Sequence, residues 1–129
     1  MASWNELRGF IQSNYKVAED KGELLSMIFS VGERSQAVLI GLAKNQNTGE
    51  EWVQISSPIG PVATVDLEAA SRAAFDWLCG GIVVVADMVY LHHAAPLANL
   101  DTNEFVRPLT VIVDGADQLE STLLGTDEF

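Results

Sequence analysis

Apolar residues recur along the chain at two spacings, and the switches between them predict its elements. From Ser3 the spacing is helical, with Trp4, Leu7, Phe10 and Ile11 on one stripe. Ser3 and Glu6 have the S-x-x-E spacing of a capping box, in which two side chains satisfy backbone N–H groups at a helix start. A helix over Ser3–Asn14 follows. Its stripe reads as core, with an exposed Trp4 at a partner surface as the other reading. The spacing then becomes two, as in a strand with one buried face. Leu24–Val31 sets Leu25, Met27, Phe29 and Val31 on one face and Ser26 and Ser30 on the other. Gly32-Glu33 reads as a turn, Gln36–Lys44 as a second strand, Asn45–Glu50 as a polar loop and Trp52–Ser57 as a third strand. The stretch SPIGP is expected to stop that strand, because proline cannot donate to a ladder.

Helical spacing returns at Asp66–Leu78, where Leu67, Ala70, Ala74 and Leu78 form a stripe that Gly80-Gly81 is expected to end. A hairpin follows: Ile82–Val85, a turn near Asp87, and Val89–His93. The last segment opens at Asp101, an N-cap candidate with Glu104 at N3. Leu100 and Phe105 are placed to form a hydrophobic staple around them. Leu109, Ile112, Ala116, Leu119 and Leu123 continue the stripe, and Pro108 predicts a kink or short break. The sum is an α+β domain spanning 1–129: helix, three-strand antiparallel meander, helix, β-hairpin and C-terminal helix, with one twisted sheet packed by helices.

Charge narrows the possible roles. The formal net charge is −11, and the seven Lys and Arg are scattered. Nucleic acid and anionic membranes both demand a basic patch, so neither is an expected partner. Cys79 is the only cysteine; no internal disulfide can form, and it reads as a small buried apolar residue. The start MASWNELRGF carries Glu6 and lacks a long apolar core, so it does not read as a signal peptide. No apolar run reaches about 18 residues, the length a membrane span needs. A cytoplasmic protein is the expectation.

The stretch LHHAAPLANLDTNEF (Leu91–Phe105) holds two histidines and two carboxylates. Adjacent strand residues point to opposite faces, so His92 and His93 cannot readily share a metal. Asp101 and Glu104 already have a capping role. His93, in register with Val89 and Leu91, is expected to be partly buried and hydrogen-bonded; His92, beside Tyr90, is expected to be exposed. No metal, cofactor or catalytic residue is nominated, since no P-loop, G-x-S-x-G or G-x-G-x-x-G is present.

If Phe29, Val53, Ile55, Val89 and Leu91 face the helices, the other sheet face carries Ser26, Ile28, Ser30, Trp52, Gln54, Tyr90 and His92. Aromatic residues interleaved with small polar ones suit a partner surface. Ile28, Trp52, Gln54, Tyr90 and His92 are therefore the candidate partner-binding residues. A one-residue slip would exchange the two faces.

The segments EWVQISSPIG (Glu51–Gly60), GGIVV (Gly80–Val84), LHHAAPLANLDTNEF and ADQLE (Ala116–Glu120), in this order of elements, resemble the type III secretion chaperone-like and YbjN-like fold. The likeness is to the small acidic peptide-binding chaperone relatives found in actinobacteria, and it spans nearly the whole chain. A basic residue often precedes the "PL" joint in that pattern; His92-His93 stand here instead. The resemblance implies an α/β sandwich with a twisted antiparallel sheet, frequent dimerisation, binding of extended protein segments and no catalytic residues. The expected function is a non-enzymatic, chaperone-like peptide-binding module that is also a homodimer, with a basic segment favoured by the net charge. A small self-associating sensory or regulatory adaptor is the alternative, and an enzyme with an unrecognised site is the third reading.

Overall fold

The structure, a computed structural model, describes residues 3–123. Its elements run α1 (Trp4–Asn14), β1 (Val17–Asp20), β2 (Leu24–Val31), β3 (Arg34–Lys44), β4 (Glu51–Pro61), α2 (Leu67–Ala74), β5 (Gly81–Val85), β6 (Met88–Pro96) and α3 (Thr102–Leu123). The strands form one antiparallel sheet in the order β1-β2-β3-β4-β6-β5. The fold class is α+β, as the sequence pattern requires.

Local chemistry accounts for the helix starts. Ser3 Oγ accepts from the Glu6 N–H at 3.2 Å, and Trp4 is buried, its Nε1 donating to the Gly22 carbonyl at 2.7 Å. At α3 the capping box is complete. Asp101 Oδ1 accepts from the Glu104 N–H at 2.8 Å, and Glu104 Oε1 accepts from the Asp101 N–H at 3.1 Å. Leu100 and Phe105 are both buried beside it. α3 then continues unbroken through Pro108, so the break expected there does not occur.

Register decides which side of the sheet is covered. Leu25, Ile40, Ile55 and His93 lie opposite one another across four strands. With Met27, Val38, Val53, Val89 and Leu91 they belong to one face. Side chains of α1, α2 and α3 pack there in a single core with Leu7, Ile11, Ala70, Phe105, Leu109 and Ile112. Phe29 is on the same face but only half-buried, edge-on to Tyr15 at 5.8 Å. Arg34 anchors β3 to α3, 3.0 Å from Asp117 and 3.7 Å from the fully buried Glu120 carboxylate.

Three further features depart from the expected pattern. β1 is an additional strand: it is short, exposed along most of its length and carries Glu19 and Asp20, so it shows no buried alternation. β4 does not stop at SPIGP but runs through both prolines, paired with β6 across a bulge at Pro58–Gly60. The β3–β4 ladder ends at Leu39–Ser56, and side chains take over from it. Ser57 Oγ donates to the Ala37 carbonyl, while Gln36 Nε2 donates to Ser57 Oγ and to the Pro58 carbonyl at 2.8 Å each. A strand residue's N and carbonyl point the same way, so the N–H that Pro58 lacks would have faced β3, where these bonds substitute for it. Finally, α2 ends at Ala74, four residues early, in tightened turns such as Trp77 N–H to the Ala74 carbonyl at 3.1 Å. Leu78, assigned to the buried stripe, is 94% exposed, and Trp77 packs on the core instead.

Candidate functional site

The three helices of the described residues contribute to the core on one side of the sheet, and none of those residues forms a layer over the other side. Its outward residues are Leu24, Ser26, Ile28 and Ser30 on β2; Ser35, Ala37, Leu39, Gly41 and Ala43 on β3; Trp52, Gln54, Ser56 and Pro58 on β4. β6 and β5 add Met88, Tyr90, His92, Ala94 and Pro96, and Gly81, Val83 and Val85. None of these residues is buried. Nor is any of them Asp, Glu, Lys or Arg, in a chain with 18 acidic and seven basic side chains. An exposed face stripped of ionised groups is a poor solvent surface and a good partner surface. Carboxylates stand only at its margins: Glu19 on β1, opposite Ser26, and Glu50, whose Oε1 accepts from Trp52 Nε1 at 2.8 Å.

The face is not flat. A groove of about 380 Å³ crosses its middle, lined by Leu24, Leu39, Gly41, Gln54, Ser56, Val83, Val85, Tyr90 and His92. Glycine at 41 and serine at 56 keep the floor low; Leu24 and Leu39 form one wall, Val83 and Val85 on β5 the other. A second depression of about 240 Å³ adjoins it through Gln54 and is lined also by Trp52, Ala43, Lys44, Asn45 and Ala94.

The candidate residues read from sequence therefore share this face. Gln54, Tyr90 and His92 line the central groove and Trp52 lines the adjoining depression, whereas Ile28, 67% exposed, lines neither. The expected face register is the observed one. The pattern did not find Leu24, Leu39, Gly41, Ser56, Val83 or Val85, because their meeting depends on strand order. The IVVV run (Ile82–Val85) was the only visible signal for the β5 wall.

The histidines differ from expectation. His92 is half-buried rather than exposed, and its Nδ1 lies 2.7 Å from Ser56 Oγ, directly across from it on β4. Burial, and then the charge of neighbouring His93, holds its pKa below the usual 6.5. His93 is half-buried on the helix side, as expected, but its imidazole ring makes no hydrogen bond with the described residues. Burial lowers its pKa too. It lines a cleft at the β6–α3 joint with Asn99, Leu100, Glu104 and Pro108. The two rings thus point to opposite faces. Among the described residues no three His, Cys, Asp or Glu side chains are grouped to hold a metal ion.

Ser56 and His92 are spaced like a nucleophile and its base. Hydrolytic sites of that kind add a third group that orients the imidazole, and no carboxylate among the described residues is hydrogen-bonded to His92. Cys79 is half-buried, and burial pushes its thiol pKa up, away from the reactive thiolate. Among the described residues no helix is long and apolar enough to cross a membrane. No protein-family model matches the chain, and no curated protein matches it significantly.

Proposed function

We propose that the protein is a non-enzymatic, chaperone-like module that holds an extended segment of another protein on its uncovered sheet face. One observation carries this reading: the central groove of that face is lined by no ionised side chain, Lys44 standing only at the adjoining depression, yet it has apolar walls with hydrogen-bonding groups between them. Burying apolar side chains there gains roughly 25 cal/mol per Å² with no charge to desolvate. Gln54, Ser56, Tyr90 and His92 supply neutral donors and acceptors for a strand's backbone, which exposes one N–H and one carbonyl per residue. Alternate side chains of an extended segment point the same way, so one can sit in the groove and another by Trp52. At the margin beside Trp52 the exposed Glu50 carboxylate favours a basic residue flanking an apolar stretch, whereas Glu19 already has Lys21 at 3.4 Å.

The test is selection of random peptides on the immobilised protein, followed by anisotropy titration of the enriched sequences. Enrichment of bulky apolar residues at alternate positions is expected. Trp52→Ala and Tyr90→Ala should each weaken the selected peptides by at least about tenfold, the effect of losing roughly 1.4 kcal/mol at an aromatic anchor, with unchanged circular dichroism. Unaltered affinity in both folded variants would remove the face from consideration. Covalent labelling of Ser56 by a fluorophosphonate probe, abolished in His92→Gln, would favour an enzyme instead.

A further inference from the structure

The two edges of the sheet are built differently. β1 is four residues long, bulged between Val17 and Glu19, and charged; its Asp20 is held by Arg8 at 2.9 Å and by Gln12 at 2.6 Å. Short length, bulges and charges are how sheets blunt an edge. β5 has none of these. Its sequence is GIVVV, among the described residues it pairs only with β6, and no charged residue lies between Asp76 and Asp87. Its flank is apolar and exposed: Val84 47%, Val85 60%, and, in the segment leading to the strand, Phe75 89% and Leu78 94%.

We propose that β5 is the seam of a homodimer, in which a second copy pairs antiparallel with it about a two-fold axis through Val83. The two sheets then become one. Gly81 faces the second copy's Val85, Ile82 faces Val84, and Val83 faces its own equivalent. β-Branched residues opposite one another are favourable cross-strand pairs, and like charges directly opposite are unfavourable. A two-fold axis sets each residue against the same short stretch, so a chain of net charge −11 can self-pair only along an uncharged strand. β5 meets that condition. β1 does not: an axis through Glu19 would set that carboxylate against its own equivalent, and an axis through Ala18 would leave the two Glu19 side chains as diagonal neighbours on one face. Phe75 and Leu78, exposed in the segment that leads into β5, are the apolar side chains the second copy would cover.

The pairing also completes the groove. Val83 and Val85 are its outer wall and stand on the edge strand. Joining β5 to β5 sets two grooves side by side across the axis, forming one longer apolar channel. The dimer does not depend on peptide binding and can be tested without a peptide.

Sedimentation equilibrium at micromolar concentration should give twice the 14.0 kDa of one chain. Phe75→Asp with Leu78→Asp alters side chains that are solvent-exposed in the protomer, so the fold should persist while the dissociation constant rises at least about a hundredfold, tenfold for each apolar anchor lost. Ala18→Lys on β1 should leave the dimer intact. In a Cys79→Ser background, Val83→Cys should cross-link on mild oxidation, since facing strand residues come within disulfide reach, and Ala18→Cys should not. A single-chain mass for the wild type across that range overturns the proposal. So does a dimer indifferent to the Phe75/Leu78 changes, cross-linking through Ala18, or a failure of Val83→Cys to cross-link. A monomer whose β5 becomes protected from hydrogen exchange only when a foreign peptide is added also overturns it, and assigns the edge to that peptide.

Discussion

Gly80 joins the α2 turn to the groove wall, and adding one methyl group there tests the geometry of both. Its φ is +95°, and a Cβ would lie 2.7 Å from Ile112 Cδ1 and 3.3 Å from the His92 carbonyl oxygen. Two costs follow for Gly80→Ala. An L side chain in left-handed backbone costs about 1–2 kcal/mol. Overpacking costs about 1–3 kcal/mol, because Ile112 is fully buried and the His92 carbonyl belongs to a paired strand. The sum is about 2–5 kcal/mol, a large part of the roughly 5–15 kcal/mol that holds a domain folded. Gly22→Ala is the control: its φ of +87° is similar, and a Cβ there meets nothing within 4 Å. It should carry only the backbone cost of about 1–2 kcal/mol. In urea titrations followed by circular dichroism, with a slope of about 1.5 kcal/mol per molar, the midpoint of Gly80→Ala should fall below that of Gly22→Ala by about 0.7–2 M. Because Gly80 immediately precedes β5, its displacement should also move Val83 and Val85 and weaken peptide binding, which Gly22→Ala should not. Equal midpoints would refute the close approach of Gly80 to β6, and with it the placement of the β5 wall.

Other outcomes follow from the same structure. His92 and His93 both have pKa values below 6.5 in the folded protein, so the unfolded chain binds more protons near that pH. Their contribution to stability is present above pH 6.5 and is lost as pH falls through 6.5 toward their folded values; denaturation midpoints should drop between pH 7.5 and 5, and drop less in His92→Gln/His93→Gln. Asp101→Ala removes half of the α3 capping box and should cost about 1 kcal/mol by thermal unfolding, with Asp101→Ser largely restoring it. Arg34→Leu leaves the Asp117 and Glu120 carboxylates without their facing cation and should cost about 3–5 kcal/mol, eased by Glu120→Gln in the double variant; a loss below 1 kcal/mol would show that the ion pair is not formed.

The sequence exposed the fold wherever one residue's neighbours in the chain decide its state. α1, β2, the turn at Gly32-Glu33 and the Asp101–Glu104 box follow from short-range spacing and were legible. Period-two alternation likewise assigned Trp52, Gln54, Tyr90 and His92 to one face. What was hidden depended on distant partners. Nothing local to SPIGP announces that Gln36 and Ser57 will replace the ladder bonds that Pro58 cannot make. The α2 stripe has a good helical period through Leu78, but Trp77 packs on the core and Gly80 lies against the His92 carbonyl, and the chain turns at Ala74 to let them do so. The groove was half legible: one residue set came from alternation, while Leu39 and Val83 required knowing that β6 lies between β4 and β5.

β5 is the place where local and global readings conflict most. A short apolar, β-branched run bounded by glycine has the composition of a strand covered on both sides, yet in the protomer β5 is an edge, with Val84 and Val85 in water. The charged, bulged, four-residue β1 has the composition an edge requires. A sequence consistent across levels places each composition where its environment matches it. β1 meets that criterion in the isolated chain; β5 meets it only when another strand lies beside it. Pairing through β5 makes it a central strand, covers Phe75 and Leu78, and removes the open edge that would otherwise invite uncontrolled association. In the proposed dimer the same residues serve two purposes, with the backbone of Val83 and Val85 joining the copies and their side chains walling the groove. A substitution that separates the protomers through Phe75 and Leu78 should therefore also weaken binding of any segment long enough to span both grooves, while leaving the affinity of a shorter one unchanged.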